Sequence, residues 1–192
     1  MISLQELETL HPDKTGLNQR IHAYWQDFFS GNFKSCLNYI YPPLLEKIPR
    51  KKILEGFNRT FKRKSITITT DLATIDSFSK MVEADEGDFC RIDYTMLMAV
   101  QFSADQKTGL PKTEARKKKR QEFMLSMYQA QYGKENAWFD EITKSFSIHI
   151  SNKLLAIRKD ESSDWYFMML SEHPLTAELI PASVLLILNH ET

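Results

Sequence analysis

Cysteine and glycine are scarce in this sequence of 192 residues. The two cysteines, Cys36 and Cys90, have neither the CxxC spacing of a metal site nor the density of a disulfide scaffold. Both lie in apolar surroundings, so we expect small buried side chains in a reduced compartment. The six glycines form neither GxGxxG nor GxxxxGKS/T, which argues strongly against a glycine-rich loop that cradles nucleotide phosphates.

Long apolar runs and an excess of one charge are also missing. The run from Val184 to Leu188 is far shorter than the roughly 20 residues of a membrane-spanning helix. The acidic start of the chain does not resemble a secretory signal. The numbers of basic and acidic residues are equal, with 25 Lys and Arg and 25 Asp and Glu. This balance argues against a protein that binds nucleic acid or an anionic membrane through its overall electrostatic field. We therefore expect a cytoplasmic protein without a membrane partner.

Catalytic and metal-binding motifs are absent as well. None of the five histidines pairs at i, i+4 or lies near a cysteine, and neither HExxH nor GxSxG occurs. We expect no metal and no cofactor. The chain can nevertheless form a hydrophobic core, because Leu, Ile, Val and Phe make up 50 of the 192 residues.

The first third of the chain has helical periodicity. A long helix ends before Gly31, and its apolar stripe consists of Leu17, Ile21, Tyr24, Trp25 and Phe28. A short helix follows and ends at Tyr41-Pro42-Pro43, where proline can begin the next helix. Another amphipathic helix is predicted from Pro49 to Phe61.

Strand periodicity begins at Lys64. Polar and apolar residues alternate over residues 65–72, and a second strand is predicted for Ile75–Ala84, followed by a tight turn at residues 85–88. From Cys90 to Phe102 the even-numbered residues are mostly apolar, so we expect their side chains to face the interior. A strand of this length must bend or twist strongly within a compact domain.

The strand pattern breaks at residues 103–120, which predict an exposed basic loop. A helix then ends at Gly133, strands return at 146–157 and 165–170, and a short helix and an apolar tail follow. We predict one α+β domain over residues 1–192. N-terminal helices pack on a strongly bent antiparallel sheet, as in a cone or cystatin-like roll, with an inserted basic loop and helix around residues 103–140.

Several short segments resemble the nuclear-transport-factor-2-like superfamily, in particular a group of uncharacterised bacterial members. They are Leu155-Ala-Ile-Arg-Lys before a polar turn, Asp164-Trp165-Tyr166-Phe167 after it, Leu179-Ile180-Pro181 with Val184-Leu185, and Tyr41-Pro42-Pro43-Leu44-Leu45. This resemblance implies a curved sheet around a long N-terminal helix, an apolar pocket at the open end of a cone, and a homodimer through the sheet. Members include isomerases, dehydratases and pure binding proteins, so the fold alone assigns no function.

Two groups of residues are candidates for binding. Aromatic and methionine side chains with a few polar tips suit a pocket for a small apolar ligand, and they suit an ordinary core equally well; they are Tyr24, Trp25, Tyr39, Tyr41, Tyr94, Met96 and Met98. The basic run is a candidate for an anionic partner, although charge runs usually mark solvated loops and nucleic acid is not expected; it consists of Arg116, Lys117, Lys118, Lys119 and Arg120.

Asp93 and His149 are the weak catalytic candidates, because each is an ionisable residue within an apolar strand. Both fall on the polar face of their strands, and turning them inward would expose the apolar set. We therefore expect a non-catalytic protein that binds a small apolar ligand or a protein partner. The alternatives are an isomerase- or dehydratase-like enzyme that uses Tyr94, Asp93 or His149, and contact with an anionic partner or nucleic acid through the 116–120 loop.

Overall fold

The computed structural model describes residues 15–63, 66–102, 114–160 and 163–190. Its first part is helical, as the periodicity predicts: α1 (Thr15–Phe29), α2 (Phe33–Cys36), α3 (Pro42–Lys47) and α4 (Arg50–Phe61). Gly31 has φ +71°, and the N–H groups of Gly31 and Asn32 donate to the carbonyls of Phe28 and Asp27. This left-handed glycine cap ends α1 where the sequence predicts.

Seven strands of the described residues form one open antiparallel sheet: β1 (Lys62–Arg63), β2 (Ile66–Phe78), β3 (Val82–Ala84), β4 (Gly87–Phe102), β5 (Ala137–Asp140), β6 (Ser145–Arg158) and β7 (Tyr166–Met169). The order is β1-β2-β4-β6-β5, with β3 paired to β4 and β7 to β6. The prediction of a separate strand over Ile75–Ala84 is wrong. Ile75 continues β2, and a break in the strand after Phe78 separates β2 from β3. Sequence alternation alone does not locate that break.

The turn between β3 and β4 lies where the sequence predicts it, and it requires glycine at its end. Gly87 has φ +135°, a region that other residues rarely adopt. A Cβ atom there would lie 2.3 Å from the carbonyl oxygen of Arg158. Gly87 therefore allows the start of β4 to approach the end of β6.

Two segments expected to be irregular are helical. Residues 114–120 belong to α5 (Glu114–Tyr132), so the loop prediction is wrong for this stretch, while residues 103–113 lie outside the described part of the chain. Lys, Arg, Glu and Gln all favour helix, which outweighs the repulsion within the run. The apolar tail is also a helix, α7 (Ala182–His190), which follows α6 (Pro174–Leu179). The α+β class is confirmed.

Contacts between Cα atoms group the chain into two compact units. The first unit comprises Met1–Leu54, Ile75–Tyr94 and Asn152–Thr192, and the second unit comprises Glu55–Thr74 and Thr95–Ser151. The strands β2, β4 and β6 each contribute residues to both units.

Both faces of β4 are covered in the first unit. The even-numbered Cys90, Ile92 and Tyr94 are buried, as predicted, and Tyr94 meets Trp25 of α1. The odd-numbered Phe89 is buried too, because α7 closes a second cluster over it. That cluster consists of Val82, Phe89, Leu155, Ile157, Met168, Ile180, Val184 and Leu188. Each large apolar side chain so buried contributes about 1.5–3 kcal/mol to stability.

The second unit has a smaller buried cluster around Phe146. Its ring centroid lies 5.0 Å from that of Phe139, 5.4 Å from Tyr128 and 5.9 Å from Phe102. The other buried members are Val100, Ala137 and Ile148. One face of α5 covers this cluster with Met124, Leu125, Tyr128 and Tyr132, all of them only partly buried.

Candidate functional site

Five aromatic side chains of the first unit form what we call the aromatic cluster: Tyr24, Trp25, Tyr39, Tyr94 and Phe167. The ring centroids of Trp25 and Tyr94 are 5.7 Å apart, and Tyr24 lies 5.8 Å from Tyr39 and 5.7 Å from Phe167. Tilted contacts at these distances are favourable for aromatic pairs. The cluster therefore brings together residues that are far apart in the chain.

Backbone geometry explains how these rings meet. Tyr24 and Trp25 project from α1, and Tyr94 is an even-numbered, inward-facing position of β4. The backbone N–H of Phe167 donates to the Tyr39 carbonyl at 2.7 Å, and the Tyr41 N–H donates to the Phe167 carbonyl at 3.0 Å. These bonds hold the segment before α3 along β7, which places Tyr39 beside α1.

The phenol groups of the cluster are not bases at neutral pH. Burial raises the pKa of Tyr94 to about 12, although a hydrogen bond with Asn152 acts in the opposite direction. Burial likewise raises the pKa of Tyr24 well above its ordinary value. The Tyr94 hydroxyl also donates to the Met169 sulfur at 3.7 Å, and a thioether is a weak acceptor. Both hydroxyls therefore stay protonated at neutral pH and can donate hydrogen bonds.

His22 adds a polar atom next to the cluster. Its ring centroid lies 6.1 Å from that of Trp25 in an edge-on arrangement. The Nε2 atom is buried and has no hydrogen-bond partner among the described residues. Burial lowers the pKa of His22 below 6.5, so the imidazole is neutral at pH 7. A neutral imidazole nitrogen accepts or donates one hydrogen bond, depending on the tautomer.

Charged groups lie at the side of the cluster where Tyr39 is found. The guanidinium of Arg20 lies 4.6 Å from the centre of the Tyr39 ring and 3.2 Å from the carboxylate of Asp164. The Tyr39 hydroxyl donates to Asp27 at 3.2 Å. Apolar rings with polar groups at their margin occur both in small-molecule sites and in ordinary cores.

The remaining predicted pocket residues lie elsewhere. Tyr41 packs against the cluster that α7 closes. Met98 packs against the core of the second unit, and Met96 is a half-buried residue of the same unit. Four of the seven predicted residues, Tyr24, Trp25, Tyr39 and Tyr94, are therefore brought together.

Asp93 lies on the odd-numbered side of β4. Its carboxylate accepts hydrogen bonds from the Ser77 hydroxyl and from Nε of Arg91, each at 2.9 Å. Arg91 is only 7% exposed, and its guanidinium also donates to the carbonyl of Leu188 near the end of α7. The polar face of β4 is thus covered at Arg91, and the pair ties β4 to the C-terminal helix.

The second catalytic candidate, His149, is exposed in the second unit. Its ring lies 5.1 Å from that of Trp138, which is also exposed. Edge-on contact with one surface tryptophan does not supply the apolar enclosure that tunes a catalytic histidine.

The five basic residues 116–120 are all exposed and occupy the first two turns of α5. Lys117 pairs with Glu114 at 2.7 Å. Within the described ranges, no group of three or more His, Cys, Asp or Glu side chains is placed to hold a metal ion. Nor does any helix in the part of the chain that the structure describes have the length and apolarity to cross a membrane.

Sequence analysis missed His22 and Arg91. A signal for His22 does exist, because it follows Asn18 by four residues at the border of the apolar stripe of α1, and Asn18 is buried as well. No local signal marks Arg91, since the helix that covers it comes 90 residues later. Comparisons with protein-family models, with curated proteins and with solved structures find no match for this chain.

Proposed function

We propose that this protein binds a small, largely apolar molecule at the aromatic cluster without transforming it. The observation that carries the proposal is the buried Nε2 atom of His22 without a partner, beside Trp25. A buried polar atom left unpaired costs about 1–3 kcal/mol, and native structures contain few such atoms. A ligand group that hydrogen-bonds to Nε2 would remove that cost.

The ligand chemistry follows from the groups around the site. Aromatic rings favour a flat or apolar molecule, and His22 and the Tyr94 hydroxyl favour one neutral polar group such as a hydroxyl or an amide. A carboxylate is disfavoured, because His22 is neutral at pH 7 and the charged groups Arg20 and Asp27 have opposite signs.

Binding without catalysis is favoured over the enzyme alternative by the placement of the ionisable groups. Asp93 is paired with Arg91 on the other side of β4, and His149 is exposed in the second unit. Tyr94 stays protonated well above neutral pH. An isomerase- or dehydratase-like mechanism needs a base with a pKa near the working pH inside the site. Asp93 lies outside the cluster and the pKa of Tyr94 is about 12, so the neutral imidazole of His22 is the group that would have to serve as the base.

The proposal includes kinship with the nuclear-transport-factor-2-like superfamily, a homodimer and a cytoplasmic location. The order of elements, helices first and antiparallel strands afterwards, supports the kinship. For the dimer, the sheet surface at Phe89 and Arg91 is covered by the chain's own α7, so a partner would use more polar positions such as Thr95 and Ser151, whose hydroxyls are 3.1 Å apart. Sedimentation of the purified chain tests the dimer directly.

The experiment is a thermal-shift screen with fragments that carry one aromatic ring and one neutral polar group. A bound fragment raises the melting temperature because it binds only the native state. Hits are repeated with Trp25→Phe and His22→Leu, and Trp138→Phe in the second unit is the matched tryptophan control. We expect loss of the shift in the first two variants and an unchanged shift in the control.

A second readout separates binding from ordinary core packing. If His22 is kept for a ligand, His22→Leu stabilises the ligand-free protein by about 1 kcal/mol, because it removes an unpaired polar atom. The same variant weakens fragment binding about three- to tenfold. Absence of any stabilising fragment, together with a loss of stability in His22→Leu, would contradict the proposal.

A further inference from the structure

The two units carry opposite net charges although the whole chain is neutral. Among the described residues, the second unit contains 10 Lys and Arg against 7 Asp and Glu, and the first contains 11 against 12. Their formal charges are therefore +3 and −1. The zero total of the sequence conceals a cationic unit, and a peripheral contact needs only a local patch.

The cationic residues of α5 share one face with exposed apolar residues. Arg116, Lys119, Phe123 and Met127 are spaced at i, i+3, i+7 and i+11, so they form what we call the outer stripe of the helix. Phe123 is 62% exposed and Met127 is 50% exposed. The opposite face is the one that packs on the core of the second unit.

The charges of the basic run oppose the helix, although Lys and Arg as residue types favour helical conformation. Cations in the first turns of a helix oppose its macrodipole, and like charges three or four residues apart repel each other. Only partial compensation is visible: Lys117 pairs with Glu114, and the Arg120 guanidinium lies 5.6 Å from the centre of the Phe102 ring. Among the described residues, Arg116, Lys118 and Lys119 make no ion pair. An external anion would relieve this repulsion.

We propose that the outer stripe of α5 docks on an anionic lipid surface, with the cations at the headgroups and Phe123 and Met127 inserted beside them. Binding to a bilayer surface increases with the apolar area that is inserted and with the attraction of cations to anionic headgroups, and the outer stripe offers both. A duplex nucleic acid would engage the cations through its phosphates and leave the two apolar side chains in water. The lipid surface accounts for both halves of the stripe.

The test is co-sedimentation of the full chain with phosphatidylcholine vesicles that contain phosphatidylserine, at low and high salt. Pure phosphatidylcholine vesicles and a short DNA duplex serve as the other two probes. We expect binding only to the vesicles with phosphatidylserine, and weaker binding at high salt. Failure to bind them at low salt would overturn the proposal.

Variants identify the surface. Arg116→Gln together with Lys119→Gln, the two cations of the outer stripe, should lower partitioning about twenty-fivefold, because each cation near an anionic bilayer contributes about a factor of five. The matched control removes two exposed cations from the first unit, Lys51→Gln and Lys52→Gln, and should bind as the parent does. Equal loss in both double variants would show that overall charge, and not α5, is responsible.

The apolar half of the stripe distinguishes lipid from other anions. Phe123→Ser with Met127→Ser should lower vesicle partitioning about tenfold, since two inserted side chains return to water. Circular dichroism checks that both sets of variants are folded. If this double variant binds vesicles as well as the parent, or if the parent binds the DNA duplex as tightly as the vesicles, an anionic polymer replaces lipid as the partner.

Discussion

The two units differ in how they treat polar and charged groups. The first unit buries Arg91 and ties its guanidinium to Asp93 and to the end of α7, and it buries the Nε2 atom of His22. Among the described residues of the second unit, the buried polar side chains are Ser145 and Ser147, while the cations of α5 lie in water. Polar and charged groups are thus part of the interior of the first unit, whereas in the second unit the cations lie on the surface.

This difference has a consequence for stability. Removing one partner from a buried charged pair leaves the other group unsatisfied, whereas changing exposed charges has small effects. We therefore expect the first unit to be the more sensitive to single substitutions. Four predictions test that expectation, beginning with the largest effect.

Arg91→Met should lower the free energy of unfolding by about 3–5 kcal/mol, because it leaves Asp93 and the Leu188 carbonyl without their charged partner. Urea denaturation measures the change. Lys153→Met, which removes an exposed cation from β6, is the control and should change stability little. Similar losses in both variants would show that the bonds of Arg91 to Asp93 and Leu188 contribute no special stability.

Ile92→Ala and Ile148→Ala compare the two cores directly, since both side chains are fully buried. Each should cost about 2–4 kcal/mol through lost burial and a residual cavity. Native-state hydrogen exchange then locates the damage: Ile148→Ala should speed exchange mainly in Thr95–Ser151, and Ile92→Ala mainly in the first unit. If both variants gave one and the same exchange pattern, the units would unfold as one body.

Gly56→Ala should stabilise the protein by about 0.5–1 kcal/mol. Gly56 lies inside α4, belongs to the second unit, and has open space where a Cβ atom would be placed. Alanine favours helix and restricts the unfolded chain. Gly87→Ala is the contrasting variant and should destabilise, because its Cβ would meet the Arg158 carbonyl. Thermal unfolding measures both; a destabilised Gly56→Ala would refute the assigned geometry.

The smallest effect concerns pH. Burial lowers the pKa of His22 below its ordinary 6.5, so below that pH the unfolded chain binds a proton more readily than the folded chain does. The native state is therefore progressively destabilised as the pH falls from about 6.5 towards the lowered pKa. Urea titrations at about pH 7.5 and 5.5 should show a smaller acid loss in His22→Leu than in the parent. Equal losses would mean that His22 titrates normally.

Local patterns in the sequence predicted much of this fold. The cap at Gly31, the break at Tyr41-Pro42-Pro43, the turn before Gly87 and the inward set Cys90, Ile92 and Tyr94 all depend on short-range preferences, and the structure has them where expected. Helix and strand periodicity likewise place Tyr24, Trp25 and Tyr94 on the inward faces of α1 and β4, whereas Tyr39 is placed by its pairing with the distant β7.

What the sequence could not supply is contact between distant segments. Phe89 and Arg91 are buried because α7 covers them, and the sequence of β4 alone does not predict this contact. Tyr41, Met96 and Met98 match the composition of a pocket, yet they pack elsewhere. The charge run predicts a loop at residues 114–120, but the helix propensity of Lys, Arg and Glu prevails there.

The position of α7 in the chain has a consequence for biosynthesis. Phe89 and Arg91 emerge from the ribosome long before Ile180, Val184 and Leu188, the residues that enclose them. During translation of the intervening residues, a phenyl ring and an arginine destined for the interior remain uncovered on the nascent polypeptide. The first unit therefore matures late, after residue 188 has left the exit tunnel, and until then it is the part of the molecule that a chaperone would shield.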